Sequence, residues 1–293
     1  MPSFSKAQTL REFSFKAGAK LLRLAGATAN DAACFLEQHP WLTRREKSIL
    51  ARNRLWQNKY RGRRGFVVGN GPSLNKMQLA ALKSELVFVL NGFACHPILD
   101  LWQPVALCLA DPLYFDRHEL LLGEFDLMRK RLPGASFFLP LAAYEASRKH
   151  SLLPPDRSFF CCQRGSMALQ RAFNVDLTRA VPGVQNVALL AITVSLYMGC
   201  NPVYLIGMDH DFLASPKTPT YFSNDYNSRA SSQAKAYGID NWDYLSVIKA
   251  VERIFAGYVN INRSAQKRGQ SIMNASVGGY LDVFPRVAFD SLF

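Results

Sequence analysis

Phe66-Val67-Val68-Gly69-Asn70-Gly71-Pro72-Ser73-Leu74 joins a short apolar run to a glycine-rich turn, and the spacing predicts a helix from about Asn75. Many α/β proteins hold a phosphate where a strand breaks into such a turn and then a helix. Glycines let backbone amides approach the anion, and the helix N-terminus adds partial positive charge. Gly69, Asn70, Gly71, Pro72 and Ser73 are therefore candidate nucleotide-binding residues. The turn matches neither GxxxxGK[ST] nor GxGxxG, which excludes the P-loop and the ordinary dinucleotide fingerprint.

Outward from this stretch, short apolar runs alternate with helical patterns. The runs that read as strands are 66–69, 87–90, 105–110, 136–139, 203–207 and 271–274. Strands apolar almost throughout and separated by helices imply a parallel sheet covered on both faces. The expected fold is α/β: a Rossmann-like, mostly parallel sheet with helices on both faces over residues 61–293. Residues 187–199 are apolar nearly all round, which predicts a buried helix with Gly199 at its C-terminal cap. Residues 213–239 are polar and rich in Ser, Asn and Tyr, a candidate lid or long loop.

The chain has 293 residues, 49% of them hydrophobic, and a formal charge of +13. The charge is uneven. Residues 1–64 carry 14 Lys/Arg against 4 Asp/Glu, and the remainder carries 21 against 18. The first 60 residues read as a basic helical segment. Leu10, Phe13, Ala17, Leu21 and Leu24 form one stripe, and a second helix is expected over 43–60 with Thr43 and Glu46 as a capping box. Such a segment suits an anionic membrane surface or a polyanionic ligand; the plainer reading is a helical pair packed on the main domain. No nucleic-acid module signature appears.

No run of about 18 apolar residues exists, so no membrane span is expected, and the scattered cations of the first 24 residues do not form a signal peptide. The cysteines lack CxxC spacing and read as buried thiols of a reducing compartment. A cytoplasmic protein follows, peripheral at the inner membrane if residues 1–60 dock there.

In open α/β sheets ligands bind beyond the carboxyl ends of the strands. Asn70, Asn91 and Asp111 follow the first three runs, and Asp209, His210 and Asp211 follow 203–207. Asn and Asp also favour turns and caps for local reasons, but amides that both donate and accept suit sugar hydroxyls and base edges. Asp209-His210-Asp211 admits two chemistries: carboxylates holding Mg²⁺ against phosphates, or acid–base work by His210. A solvated charged loop is the third possibility. The 274–280 stretch is a second Gly-containing turn, either a pocket wall or a tight connection.

Asn70-Gly71-Pro72-Ser73-Leu74 after a strand, Asn91 after the next, and the buried helix leading to Val203-Tyr204-Leu205-Ile206-Gly207-Met208-Asp209 resemble the bacterial α-2,3/2,8-sialyltransferases of the Campylobacter lipooligosaccharide type. They resemble equally the broader family that shares a domain with archaeal 6-hydroxymethylpterin pyrophosphokinases and flagellin motility accessory factors. The segment from Ile272-Met273-Asn274-Ala275-Ser276 to Val283-Phe284-Pro285-Arg286 is similar to stand-alone members of that family. The likeness covers about residues 60–293.

The resemblance implies a glycosyltransferase of surface polysaccharide synthesis that takes a CMP-linked nonulosonic acid as donor and a glycan or lipid-linked acceptor, with no required cofactor. It places Asn70 and Asn91 on the nucleotide. Asp111 stands where the family has a third Asn, and Gln185-Asn186 where it has a Ser/Thr-Gly pair. The family's histidine base falls near Trp242, and its tyrosine after the late-strand aspartate is replaced by His210 and Asp211. Tyr221, Tyr226 and Tyr237 are the neighbouring tyrosines. The catalytic candidates are then His210, Asp209 and Asp240. Two alternatives stand beside this one: a pyrophosphokinase with Asp111, Asp209 and Asp211 on Mg²⁺, and a non-catalytic nucleotide-binding protein. A homo-oligomer is compatible with each.

Overall fold

The computed structural model describes residues 42–211, 213, 214, 221–223, 227 and 243–293. The stripe from Leu10 to Leu24, most of the 213–239 stretch, Asp240 and Trp242 lie outside the described residues.

Among the described residues eight strands form one sheet: β1 (Gly65–Val68), β2 (Leu86–Leu90), β3 (Ala106–Cys108), β4 (Ser136–Pro140), β5 (Ser158–Arg164), β6 (Ala180–Pro182), β7 (Val203–Ile206) and β8 (Ile272–Asn274). Their order is β6-β5-β4-β3-β2-β1-β7-β8, and every pairing is parallel. The α/β, Rossmann-like expectation therefore holds. β5 and β6 are additions to the expected strands. β6 is three residues long at the sheet edge, where Pro182 is tolerated.

The α-helices with bounds among the described residues are α1 (Arg44–Ala51), α2 (Leu113–Asp116), α3 (Leu122–Arg131), α4 (Tyr144–Lys149), α5 (Val187–Tyr197) and α6 (Tyr244–Lys267). α5 is the expected apolar helix. Every residue from Ala188 to Tyr197 is buried, and Gly199 follows with φ +87°. It packs across β1, β2, β3 and β7. Alternation along β1 divides the core in two: Phe66 and Val68 join Val87, Leu107 and Phe137 on one face, and Val67 joins Phe88, Leu190 and Val194 on the other.

The expected helix from Asn75 does not form. Residues Pro72–Lys76 and Leu79–Ser84 are separate 3₁₀ turns, with Met77 extended between them at φ −121° and ψ 143°. Local polar groups are engaged elsewhere: the Ser73 N–H donates to Asp209, and the Asn75 side chain donates to the Phe222 carbonyl at 2.9 Å. Side chains that find partners off the helix axis compete with helix propagation.

The expected helix over 43–60 is shorter. α1 has the predicted capping box, with Glu46 N–H donating to Thr43 Oγ1 at 3.1 Å and Thr43 N–H to Glu46 Oε2 at 2.7 Å. It passes into a 3₁₀ turn over Arg52–Trp56. Asn58 then adopts φ +54°, and the N–H groups of Asn58, Tyr60 and Gly62 donate to the carbonyls of Tyr197, Met198 and Gly199, closing the C-terminus of α5. Asn53, fully buried, donates to the Phe160 and Leu177 carbonyls at 2.7 and 2.6 Å. The described part of the basic segment is thus packed on β5 and α5. Among the described residues no helix is long and apolar enough to cross a membrane.

The chain runs outward from β1 through β2 to β6, then returns through α5 to β7 on the other flank of β1. The crossover places the switch point between β1 and β7 and sets the N-terminus of α5 at the carboxyl edge.

Candidate functional site

A cavity of about 920 Å³ opens at the carboxyl edge. It is lined by Asn91 after β2, Asp111 after β3, Gln163 and Arg164 at the end of β5, and Gln185 and Asn186 at the start of α5. Glu46 of α1 and Asp116 of α2 complete its charged wall. The structure therefore brings together Asn91 and Asp111 of the strand-end reading with Gln185 and Asn186, which the family resemblance named.

Each is held differently. Asn91 sits at φ +41°, and its Oδ1 is buried with no hydrogen-bond partner among the described residues. Asp111 Oδ1 accepts from the Leu113 N–H at 3.0 Å. Gln185 Nε2 donates to Ser166 Oγ at 2.7 Å, leaving Oε1 buried without a partner among the described residues, and Gln163 Nε2 is in the same condition. Asn186 caps α5 by accepting from the Leu189 N–H at 3.0 Å. Arg164 is the cation among the described lining residues, and its Nη2 lies 3.4 Å from Glu46 Oε1. The Thr43 backbone hydrogen bond, and next the Thr43 hydroxyl and Arg164, hold the Glu46 carboxyl below its usual range.

Gly69, Asn70, Gly71, Pro72 and Ser73 are not among the lining residues of this cavity. The Gly71 N–H donates to the Gly207 carbonyl at 3.0 Å. The Ser73 N–H donates to Asp209 Oδ2 at 2.8 Å, and the Ser73 hydroxyl donates to Asp209 Oδ1. A Cβ on Gly69 would overlap the Gly207 carbonyl oxygen, and one on Gly71 would come within 2.6 Å of Asp209 Oδ2. The glycines thus permit β1 and β7 to close on each other, and a carboxylate of the chain takes the amide and hydroxyl of Ser73 at the end of the turn. Asn70 Nδ2 donates to the Leu90 carbonyl at 3.2 Å, tying the turn to β2.

Asp209 is accordingly buried and committed to Ser73. His210, at φ +50°, pairs through Nε2 with the Tyr258 hydroxyl at 2.9 Å, and burial lowers its pKa to about 4. Tyr258 also accepts from Asn186 Nδ2 at 3.0 Å, which links α6, α5 and the loop after β7. Burial first, then Asp111 and Asp211, raise the pKa of the Tyr221 phenol, so both carboxylates act on one ring. Among the described residues no group of three or more His, Cys, Asp or Glu is placed to hold a metal ion.

Sequence reading missed Gln163 and Arg164, because the strand Ser158–Arg164 that carries Cys161 and Cys162 was not read as a strand. These thiols are buried; burial raises both pKa values. It also missed Tyr258, which shares a helical stripe with the buried Ile261 and Ala265 and looks like core.

No family model and no curated protein matches the chain. Among solved structures it is similar to the sialyltransferase CstII from Campylobacter jejuni in complex with the substrate analogue CMP-3FNeuAc, with 13% identity over 77% of this chain and 86% of that one at a TM-score of 0.45. A CST-II variant in complex with CMP gives 15% identity, the same coverages and the same TM-score. The MAf glycosyltransferase from Magnetospirillum magneticum AMB-1 gives 14% identity and a TM-score of 0.45 over 85% of this chain, which spans 39% of that protein.

Proposed function

We propose that this chain is a glycosyltransferase that draws its sugar from a nucleotide-linked donor, with a CMP-linked nonulosonic acid as the donor and a glycan or lipid-linked hydroxyl as the acceptor. The observation that carries the reading is the chemistry of the carboxyl-edge cavity. Three of its amide side chains hold buried polar atoms without a partner among the described residues: the acceptors Asn91 Oδ1 and Gln185 Oε1, and the donor Gln163 Nε2. An unsatisfied buried polar atom costs about 1–3 kcal/mol, so a ligand that completes it gains affinity. A cytosine edge offers an amino donor and ring acceptors, the complement of this set. Asp111 suits ribose hydroxyls, while Arg164 and the first-turn amides of α5 suit phosphate.

Charge selects among nucleotides. The described wall sets one arginine against Glu46, Asp111 and Asp116. That balance disfavours a triphosphate, whose extra charges would meet carboxylates. In the transfer, the acceptor oxygen attacks the anomeric carbon and gives its proton to a base, and the bond to the donor phosphate breaks. Asp209 serves this reaction by holding the turn. His210 and Asp240 are the remaining candidates for the base.

Thermal shift with CMP, CDP, UDP, GDP and ATP, each with and without Mg²⁺, tests the proposal. A ligand at 100 times its Kd adds about 2.7 kcal/mol of stability. Stabilisation by CMP without Mg²⁺ is the expected outcome. Stabilisation by ATP with Mg²⁺ alone overturns it in favour of diphosphate transfer.

A further inference from the structure

Tyr258 is fully buried, and its hydroxyl has two partners, Asn186 Nδ2 at 3.0 Å and His210 Nε2 at 2.9 Å. The orientation of the Asn186 amide is fixed, because its Oδ1 accepts the Leu189 N–H that opens α5. Its Nδ2 can therefore only donate to the Tyr258 oxygen. The phenol has one proton, and of its two partners only His210 Nε2 can accept it. Were Nε2 protonated, two donors would converge on the phenol oxygen and the phenolic proton would be buried without an acceptor. A buried donor left without an acceptor is destabilising.

We infer that Tyr258 is a positioning residue that locks His210 as the neutral tautomer protonated on Nδ1. Its hydroxyl proton occupies the Nε2 lone pair, and Nδ1 carries the ring's own proton. His210 then has no lone pair to offer an acceptor hydroxyl, so the base of the proposed transfer is another group. The inference rests on the glycosyltransferase reading only for that last consequence. The surroundings favour the uncharged ring: the edges of Phe255 and Tyr258 pack on it with centroids at 5.8 and 5.2 Å, and burial depresses its pKa. The chain of hydrogen bonds runs from a helix N-terminus through Asn186 and Tyr258 to the loop after β7, so the tautomer is set from outside that loop.

Nitrogen NMR of the full-length protein, labelled with ¹⁵N-histidine, reads the tautomer without substrate. The His210 signals are those that vanish in His210→Gln. The expected pattern is a pyridine-like Nε2 and a pyrrole-like Nδ1; a pyrrole-like Nε2 overturns the inference. Tyr258→Phe removes the donated proton and should shift the population toward Nε2–H, and an unchanged pattern there excludes Tyr258 as the lock. If that variant does not fold, Asn186→Asp serves instead. Its carboxylate can accept the phenol proton, which should invert the tautomer, and a retained Nδ1–H overturns the assignment. Because no nucleotide is present, failure of the nucleotide panel and failure of this inference are separate results.

Discussion

The Asp209 carboxylate accepts both the backbone N–H and the hydroxyl of Ser73, so the loop after β7 occupies the donors of the turn after β1. A glycine-rich turn that looks built for an external anion is closed by an internal one. The sheet's central pair is thereby fastened at its carboxyl end, beside the loop that carries His210. Asp209→Ala should leave both Ser73 donors buried without an acceptor. Hydrogen bonds to a charged group contribute about 1.5–3 kcal/mol, so a loss on the order of 3 kcal/mol is expected in urea unfolding. Unchanged stability with abolished turnover would instead make Asp209 a reacting group.

The same fastening sets the glycine requirement. Gly69→Ala and Gly71→Ala force a methyl into the Gly207 carbonyl and the Asp209 carboxylate, and each should cost about 1–3 kcal/mol. Gly123→Ala is the internal control, since nothing lies within 4 Å of its added carbon and it sits in α3. There the substitution should be neutral or stabilising by up to about 1 kcal/mol. Equal losses at all three positions, measured by chemical denaturation, would dismiss the close approach of β1 and β7 as the cause.

Two histidines give the fold an acid limit. His96 is buried, stacked on Phe93 with centroids at 4.9 Å, and its Nδ1 accepts the Ile98 N–H at 3.1 Å. Burial, and then Arg131, lower its pKa to about 4, and burial lowers that of His210 to about 4. A depressed folded-state pKa means that the unfolded chain binds the proton first. The stability contribution is full above the unfolded value of about 6.5 and is lost as pH falls toward 4. Denaturation midpoints should therefore be flat above pH 7 and fall between pH 6.5 and 4. His96→Asn, which keeps an acceptor for Ile98, should flatten part of that fall. An acid slope identical to the wild type would remove His96 from the account.

How much of this could be read from residues follows from what each signal encodes. Apolar runs fixed β1 to β4, β7 and β8, because strands buried on both faces have no other composition available. Asn91 and Asp111 were found from topology, Gln185 and Asn186 only from the family resemblance, and the four share a cavity. The contact between Ser73 and Asp209 was not legible, since the two lie 136 residues apart and glycine serves a close strand contact as well as it serves phosphate. Tyr258 was hidden for a related reason: its ring belongs to the core, and only the tertiary arrangement brings its hydroxyl to His210.

Asn91 separates ligand binding from stability most cleanly. Its backbone is left-handed at φ +41°, a conformation that glycine adopts without cost, and its Oδ1 is buried without a partner among the described residues. Asn91→Gly therefore removes the amide while relieving both the backbone strain and the unsatisfied acceptor. A residue kept for structure loses stability when truncated; one kept for a ligand loses affinity instead. The expected result is unchanged or slightly raised stability, with CMP affinity down about 5- to 50-fold, the equivalent of one lost hydrogen bond. Calorimetric titration against CMP, run beside urea unfolding, measures both quantities. Lower stability with intact CMP affinity would return Asn91 to the turn and leave the cavity's base edge to Gln163 and Gln185.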